Sequence, residues 1–164
     1  MSKITVFFLI SAVLLISCKK ETANNTTSLT IKVIDGRTNA PTAGATLNLF
    51  TSYNSVIGTI YKTPLTTDAN GTVNITVEAG VSQLYVIVQK NSEWNYYNGL
   101  IPVGIFGSTA DIADSPAQNP AGTVGSVKFK DTNGDGKIDA SDDVLPPVVD
   151  ITANTTNTIN TTIY

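Results

Sequence analysis

From Leu29 onward, apolar and polar residues alternate with a period of two. Thr30 and Lys32 separate Leu29, Ile31 and Val33; Thr46 and Asn48 separate Ala45, Leu47 and Leu49; Asn74 and Thr76 separate Val73, Ile75 and Val77. Successive side chains of a β-strand point to opposite faces, so this spacing predicts strands with one face buried and one in water. Many of the apolar positions are β-branched, which suits a pleated, half-buried surface. The run Leu84-Tyr85-Val86-Ile87-Val88 is apolar on both faces and predicts the most buried strand. Val127 and Phe129 predict a short later strand, and Ile159, Thr161 and Ile163 a closing one. No segment carries a convincing helical repeat.

Turn residues punctuate these runs. Asp35-Gly36, Asp68-Ala69-Asn70-Gly71 and Ala79-Gly80 supply positions that tolerate positive φ. About seven strands in a chain of this length predict an all-β fold. The expected domain is one antiparallel β-sandwich, of the immunoglobulin-like or prealbumin-like kind, over residues 29–164. Residues 101–124 are rich in Gly, Pro, Ser and Ala and predict a long loop carried on the sandwich.

Three segments carry a resemblance. They are Thr30-Ile31-Lys32-Val33-Ile34-Asp35, Ala40-Pro41-Thr42-Ala43-Gly44-Ala45-Thr46-Leu47 and Thr66-Thr67-Asp68-Ala69-Asn70-Gly71-Thr72-Val73. Together with Gly80 and the strand Leu84 to Val88, they resemble the transthyretin-like, or carboxypeptidase-regulatory-like, β-sandwich. The likeness covers roughly residues 29–99 and the last strand, and it implies a non-catalytic module. The chain departs from that family in the long insertion between Gly99 and the closing strand.

The N-terminal end reads differently. Lys3 is followed by an apolar run from Ile4 to Ile16, too short for a bilayer span of about 20 residues. A charged start, a short apolar middle and a small residue at the exit predict a signal peptide over residues 1–17. Leu15-Ile16-Ser17-Cys18 resembles the lipobox of bacterial lipoproteins, which implies that Cys18 is acylated (palmitate among its chains) and becomes the first mature residue. Cys18 is the only cysteine, so no internal disulfide is available. Residues 18–28, beginning Lys19-Lys20-Glu21, are polar and predict a flexible tether. The expected location is the outer membrane, on its periplasmic or its external face.

Charge is concentrated in one place. Without residues 1–17 the chain has nine basic and thirteen acidic residues, and five of those acids lie between Asp131 and Val144 beside one base, Lys137. The remainder balances, leaving no basic face for nucleic acid. Histidine is absent, which removes the commonest general base and transition-metal ligand. Asp111 and Asp114 are the one carboxylate pair close in sequence outside that stretch. Proximity alone favours them, so no enzyme activity is expected.

The acidic stretch DTNGDGKIDASDDV has the spacing of a calcium loop over residues 131–142. Asp131, Asn133 and Asp135 occupy positions one, three and five, Gly136 the sharp turn at six, and Lys137 offers its backbone carbonyl at seven. Asp139 at nine can ligate through water, and Asp142 closes the set at twelve. All these donors are oxygen, which suits Ca2+. The loop resembles an EF-hand loop and, with Asp at position twelve, the calcium repeat of dockerins. A strand-like upstream flank and Pro146-Pro147 downstream leave room for about one helical turn, so a structural clip is expected rather than a switch or a cohesin-docking repeat.

The aromatic cluster SEWNYYNG supplies candidate ligand contacts in Trp94, Tyr96 and Tyr97. Such rings either stack on sugars or cap the sandwich core. The expected function is therefore a non-catalytic envelope module that binds or adheres to a glycan or protein partner. The alternative is a structural subunit of an outer-membrane transport or secretion assembly, with no small ligand.

Overall fold

The computed structural model describes residues 26–54 and 58–164. The expected signal peptide, the expected lipidation site Cys18 and residues 18–25 of the expected tether lie outside the described residues. The first half of the fold contains β1 (Thr27–Asp35), β2 (Thr46–Tyr53), β3 (Gly58–Thr66), β4 (Thr72–Val77), β5 (Gln83–Lys90) and β6 (Glu93–Trp94). An excursion follows with β7 (Pro102–Ile105), α1 (Thr109–Ala113), β8 (Ala117–Gln118), β9 (Val127–Phe129), β10 (Lys137–Ile138) and a 3-10 turn (Ala140–Asp142). The chain then closes with β11 (Val148–Asp150) and β12 (Thr156–Ile163).

Two sheets form the β-sandwich. One has the order β12-β1-β4; the other runs β11-β5-β2-β3, with β6 also paired to β5. Their inner faces share one core cluster. Leu29, Ile31 and Val33 of β1 and Val73, Ile75 and Val77 of β4 meet Leu47 and Leu49 of β2 and Leu84, Val86 and Val88 of β5. These are the alternating residues of the sequence pattern. Each large aliphatic side chain that is fully buried contributes about 1.5–3 kcal/mol.

Several details differ from the sequence expectation. Pairing is largely antiparallel, but β1 and β12 run parallel, with Ser28 opposite Thr156 and Asp35 opposite Ile163. β1 begins at Thr27, which is buried, so the last residues of the expected tether belong to the sheet. Residues 101–124 are not one long loop: β7 pairs antiparallel with β9, and β8 pairs parallel with β10. Ser108 caps the single turn of α1 by accepting the Asp111 N–H. The turn of helix expected after the acidic stretch is the 3-10 turn, which ends at Asp142, ahead of the two prolines.

Two features position the candidate site. The first is the outer face of β5, where Tyr85 and Ile87 are only half-buried although the inner face is fully enclosed. The second is a corner at β6, which links the two sheets. Trp94 and Tyr164 exchange backbone N–H to O bonds of 3.1 Å in both directions. Next to them, buried Asn95 accepts the Val88 N–H at 2.7 Å and donates to the Val86 carbonyl and the Thr161 hydroxyl. The chain leaving this corner is therefore held to both β5 and β12.

Candidate functional site

Beyond the corner the chain makes a tight hairpin. Tyr97 and Leu100 exchange backbone bonds of 2.9 Å each way, and Asn98 and Gly99 between them both have positive φ (48° and 89°). Asn-Gly is the preferred pair for such a turn because both central positions need φ above zero. Gly99 has a second role. A Cβ there would lie 2.3 Å from Asp143 Oδ1, so the absence of a side chain lets the Asp143 carboxylate pack onto the turn. Val144 donates its N–H to the Gly99 carbonyl at 2.9 Å, and the Tyr96 hydroxyl donates to the Val144 carbonyl at 2.9 Å. The exit of the acidic stretch is thus sewn to the aromatic hairpin.

Between these parts lies a cleft of about 650 Å³. Its base is the outer face of the five-stranded sheet, at Tyr53 and Ile87, and its walls include Trp94, Tyr96, Tyr97 and Leu145. This is what covers the second apolar face of β5. The aromatic residues divide by role. Tyr96 is buried, its ring edge-on to Tyr53 at 6.2 Å, and burial pushes its hydroxyl above the usual tyrosine range, with Tyr53 and Asp143 adding to the effect. Tyr97 is 44% exposed and Trp94 half-buried, with ring centroids 5.7 Å apart. They form a ridge, on whose far side a second hollow of about 420 Å³ is lined by Phe129, Pro102 and Tyr164.

The acidic stretch folds as a nest of side chains turned onto its own backbone. Asp131 accepts the Gly134 and Gly136 N–H groups, Asn133 the Asp135 N–H, Asp135 the Lys137 N–H, and Asp139 the Ser141 N–H. Asp142 is fully buried. Its Oδ1 accepts the Thr132 N–H at 2.8 Å and the Thr132 hydroxyl at 3.2 Å, while Oδ2 accepts the Asp139 N–H at 3.0 Å. Ile138 is also buried, outside the main core cluster, and anchors the stretch beneath the excursion.

In kind, these donors fit a hard cation such as Ca2+, because all are oxygen. Each carboxylate or amide oxygen has two lone pairs, so Asp131, Asn133, Asp135 and Asp139 all retain acceptor capacity beyond the bonds above. Asp142 Oδ1 is already filled by Thr132, which makes Asp142 the latch of the loop. Among the described residues, no three Asp, Glu, His or Cys side chains converge as a ligand set. A bound cation would therefore draw Asp131, Asn133, Asp135 and Asp139 inward, together with the Lys137 carbonyl.

The nest also sets a pH dependence. The N–H groups of Asp139 and Thr132 hold the Asp142 carboxyl below its ordinary value, and Ser141 does the same for Asp139. Both groups are more acidic folded than unfolded, so their contribution is complete above the usual carboxylate range and lost as pH falls through the lowered values. Amide exchange at Thr132 and Asp139, corrected for intrinsic rates, is expected to be slow at about pH 6 and to accelerate below about pH 4. Protection that persisted unchanged to about pH 2.5 would contradict this assignment.

Asp111 and Asp114 do not form a shared carboxylate site. Asp111 binds Lys128 Nζ at 2.9 Å and the Gly107 N–H, and Lys128 is the main cause of its lowered pKa. Asp114 forms the C-cap of α1. Conversely, several cleft residues escape the sequence reading: Tyr53, Ile87, Asp143 and Leu145 come from distant segments, and Asn98 lies next to Tyr97 in the turn. The two-sided apolar run of β5 and the Asn98-Gly99 turn pair are the sequence signals that could have found part of this site. No protein-family model matches the chain, and no curated protein is similar to it in sequence.

Proposed function

We propose that this chain is a non-catalytic binding module that presents its aromatic cleft to a glycan. The observation that carries the reading is the Trp94–Tyr97 ridge, half-buried at Trp94 and exposed at Tyr97, standing over a cleft of about 650 Å³. Small-ligand sites are concave and mostly apolar, with a few polar groups to orient the ligand, and this cleft has that character. Flat rings at an open rim offer the apolar face of a pyranose a stacking partner, with Asn98 and Asp143 at hand for its hydroxyls. The resemblance of residues 29–99 to transthyretin-like modules agrees with a non-catalytic role. The lipobox-like Leu15-Ile16-Ser17-Cys18 would tether the module to the outer membrane.

Trp94 is the only tryptophan, so its emission reports on the cleft directly. A glycan panel titrated against that signal is expected to give at least one saturable response. Tyr97→Ala should weaken that response about tenfold, the worth of one ring contact, in a protein that stays folded although it loses the Tyr97 contacts with Trp94 and Phe129. A panel without any response, or an unaffected Tyr97→Ala, would sink the sugar reading.

Calcium at residues 131–142 belongs to the same proposal, as an element that orders the excursion carrying Asp143 and Leu145. Asp rather than Glu at position twelve, and its prior engagement with Thr132, argue for a dissociation constant of about 10⁻⁴ to 10⁻³ M. At tenfold excess, binding adds about 1.4 kcal/mol, or about 4 °C in melting temperature. Asp131→Ala and Asp135→Ala should abolish this shift. If Ca2+ altered neither melting nor proteolysis of residues 131–142, the metal part of the reading would be wrong.

A second reading, a structural subunit of an envelope assembly, draws support from the exposed apolar residues Leu145 and Val148 beside the cleft. Stoichiometric co-purification with a membrane protein, lost in Val148→Asp, would favour it.

A further inference from the structure

The charge pattern of the cleft narrows its ligand. Of the five acids between Asp131 and Val144, four are engaged with their own loop: Asp131, Asp135, Asp139 and Asp142 each accept a backbone N–H. Asp143 is the exception. It lies exposed at the cleft and, among the described residues, its carboxylate makes no hydrogen bond or ion pair. Among the described residues no lysine or arginine lines the cleft, and the one charged side chain facing a ligand there is negative.

The other polar side chains of the cleft, among the described residues, are neutral. The Tyr96 hydroxyl is already donated to the Val144 carbonyl and so is not free to donate to a ligand anion. What remains is the Asp143 carboxylate, the Asn98 amide, the Tyr53 hydroxyl and the π-faces of Trp94 and Tyr97, of which Asp143 alone carries a charge. Aromatic faces carry negative potential and attract cations within about 6 Å of the ring centroid. A carboxylate beside such faces is complementary to an ammonium group, and it repels uronates and sulfated sugars.

We propose that the cleft takes an amino sugar whose amine is free and protonated, a hexosamine unit of a glycan, with the ammonium on Asp143 and the ring face on the Trp94–Tyr97 ridge. This rests on the glycan reading above and adds the charge of the ligand. The volume of about 650 Å³ is more than a lone ammonium needs, and the two ridge rings are inclined at 56° without enclosing it as a cage. Both features favour a pyranose over a lysine side chain or a quaternary amine.

The test titrates the full chain, by Trp94 emission and calorimetry at about pH 6 and low salt, with glucosamine oligomers and length-matched N-acetylglucosamine oligomers. The glucosamine oligomer is expected to bind at least tenfold more tightly. Asp143→Asn should erase that difference and leave the melting temperature unchanged, and added salt should weaken only the wild-type preference. Equal binding of both oligomers, or preference for the acetylated one, would overturn the proposed charge selectivity while leaving the glycan reading standing. Silence toward both oligomers, with a response to some other glycan, would have the same effect. Silence toward every glycan would remove both. A lysine-rich peptide or tetramethylammonium that matched the glucosamine oligomer would assign the cleft to a different occupant and overturn the proposal.

Discussion

Asn95→Ala is expected to cost about 2–6 kcal/mol, a large part of what holds a domain of this size folded. The side chain of Asn95 stands in for a strand that is not there. Its Oδ1 takes the Val88 N–H and its Nδ2 serves the Val86 carbonyl, both on β5, while the same Nδ2 reaches Thr161 on β12. Truncation leaves a buried donor and a buried acceptor unpaired, each costing about 1–3 kcal/mol. Asn95→Asp should not rescue it, because a carboxylate could still accept from Val88 but would face the Val86 carbonyl without a proton to donate. Urea unfolding measures the loss; a penalty below about 1 kcal/mol would mean that the corner relaxes and finds other partners. Trp94 sits beside this residue, so the emission of partly destabilised variants should also report a disturbed cleft.

Gly71→Ala should be comparably severe, for a steric reason. Gly71 has φ of +69°, and a Cβ there would stand 2.7 Å from the Thr42 nitrogen and 2.8 Å from the Val33 oxygen. Those atoms cannot step aside cheaply. The Val33 N–H donates to the Gly71 carbonyl and the Thr42 N–H donates to the Val33 carbonyl, so three segments are locked at this point. The left-handed backbone costs about 1–2 kcal/mol for a side-chain-bearing residue, and the forced shift adds about 1–3 kcal/mol. Gly80→Ala separates the two contributions. Gly80 has φ of +90° with open space around the missing Cβ, so its substitution should show the backbone cost alone. Equal penalties at the two positions would refute the clash.

The sequence made the sandwich legible wherever one face of a strand is buried. Leu29 to Val33, Ala45 to Leu49 and Val73 to Val77 alternate because the inner face is core and the outer face is water, and all their apolar residues lie in the core cluster. β3 left no such signal. It is an edge strand, exposed or half-exposed along its length, and it carries Lys62 and Pro64, so nothing in its pattern demands burial. Val127 and Phe129 announce β9, but β7 was harder still, because Pro102 meets Phe129 across 27 positions of chain and Pro102–Ile105 does not alternate on its own. The cleft was half visible for the same physical reason. Trp94, Tyr96 and Tyr97 are neighbours in sequence and stood out, although Tyr96 proves to be a wall and Tyr97 a rim. Asp143 and Ile87 join them only through long-range packing. The oddity that announces the cleft is a β5 strand apolar on both sides, whose second face lies under a partly open roof and not in a second core.

The parallel pairing of β1 with β12 decides how the module would answer a pull. A load entering through the chain before Thr27 acts along the axis of β1, while the bonds to β12 on one side and β4 on the other lie across that axis. The ladders would then be loaded in shear, with many bonds resisting at once, instead of opening one after another as in peeling. If the segment before Thr27 is a tether and the cleft is the gripping end, tension between them would run through the sandwich along its mechanically stiffest direction.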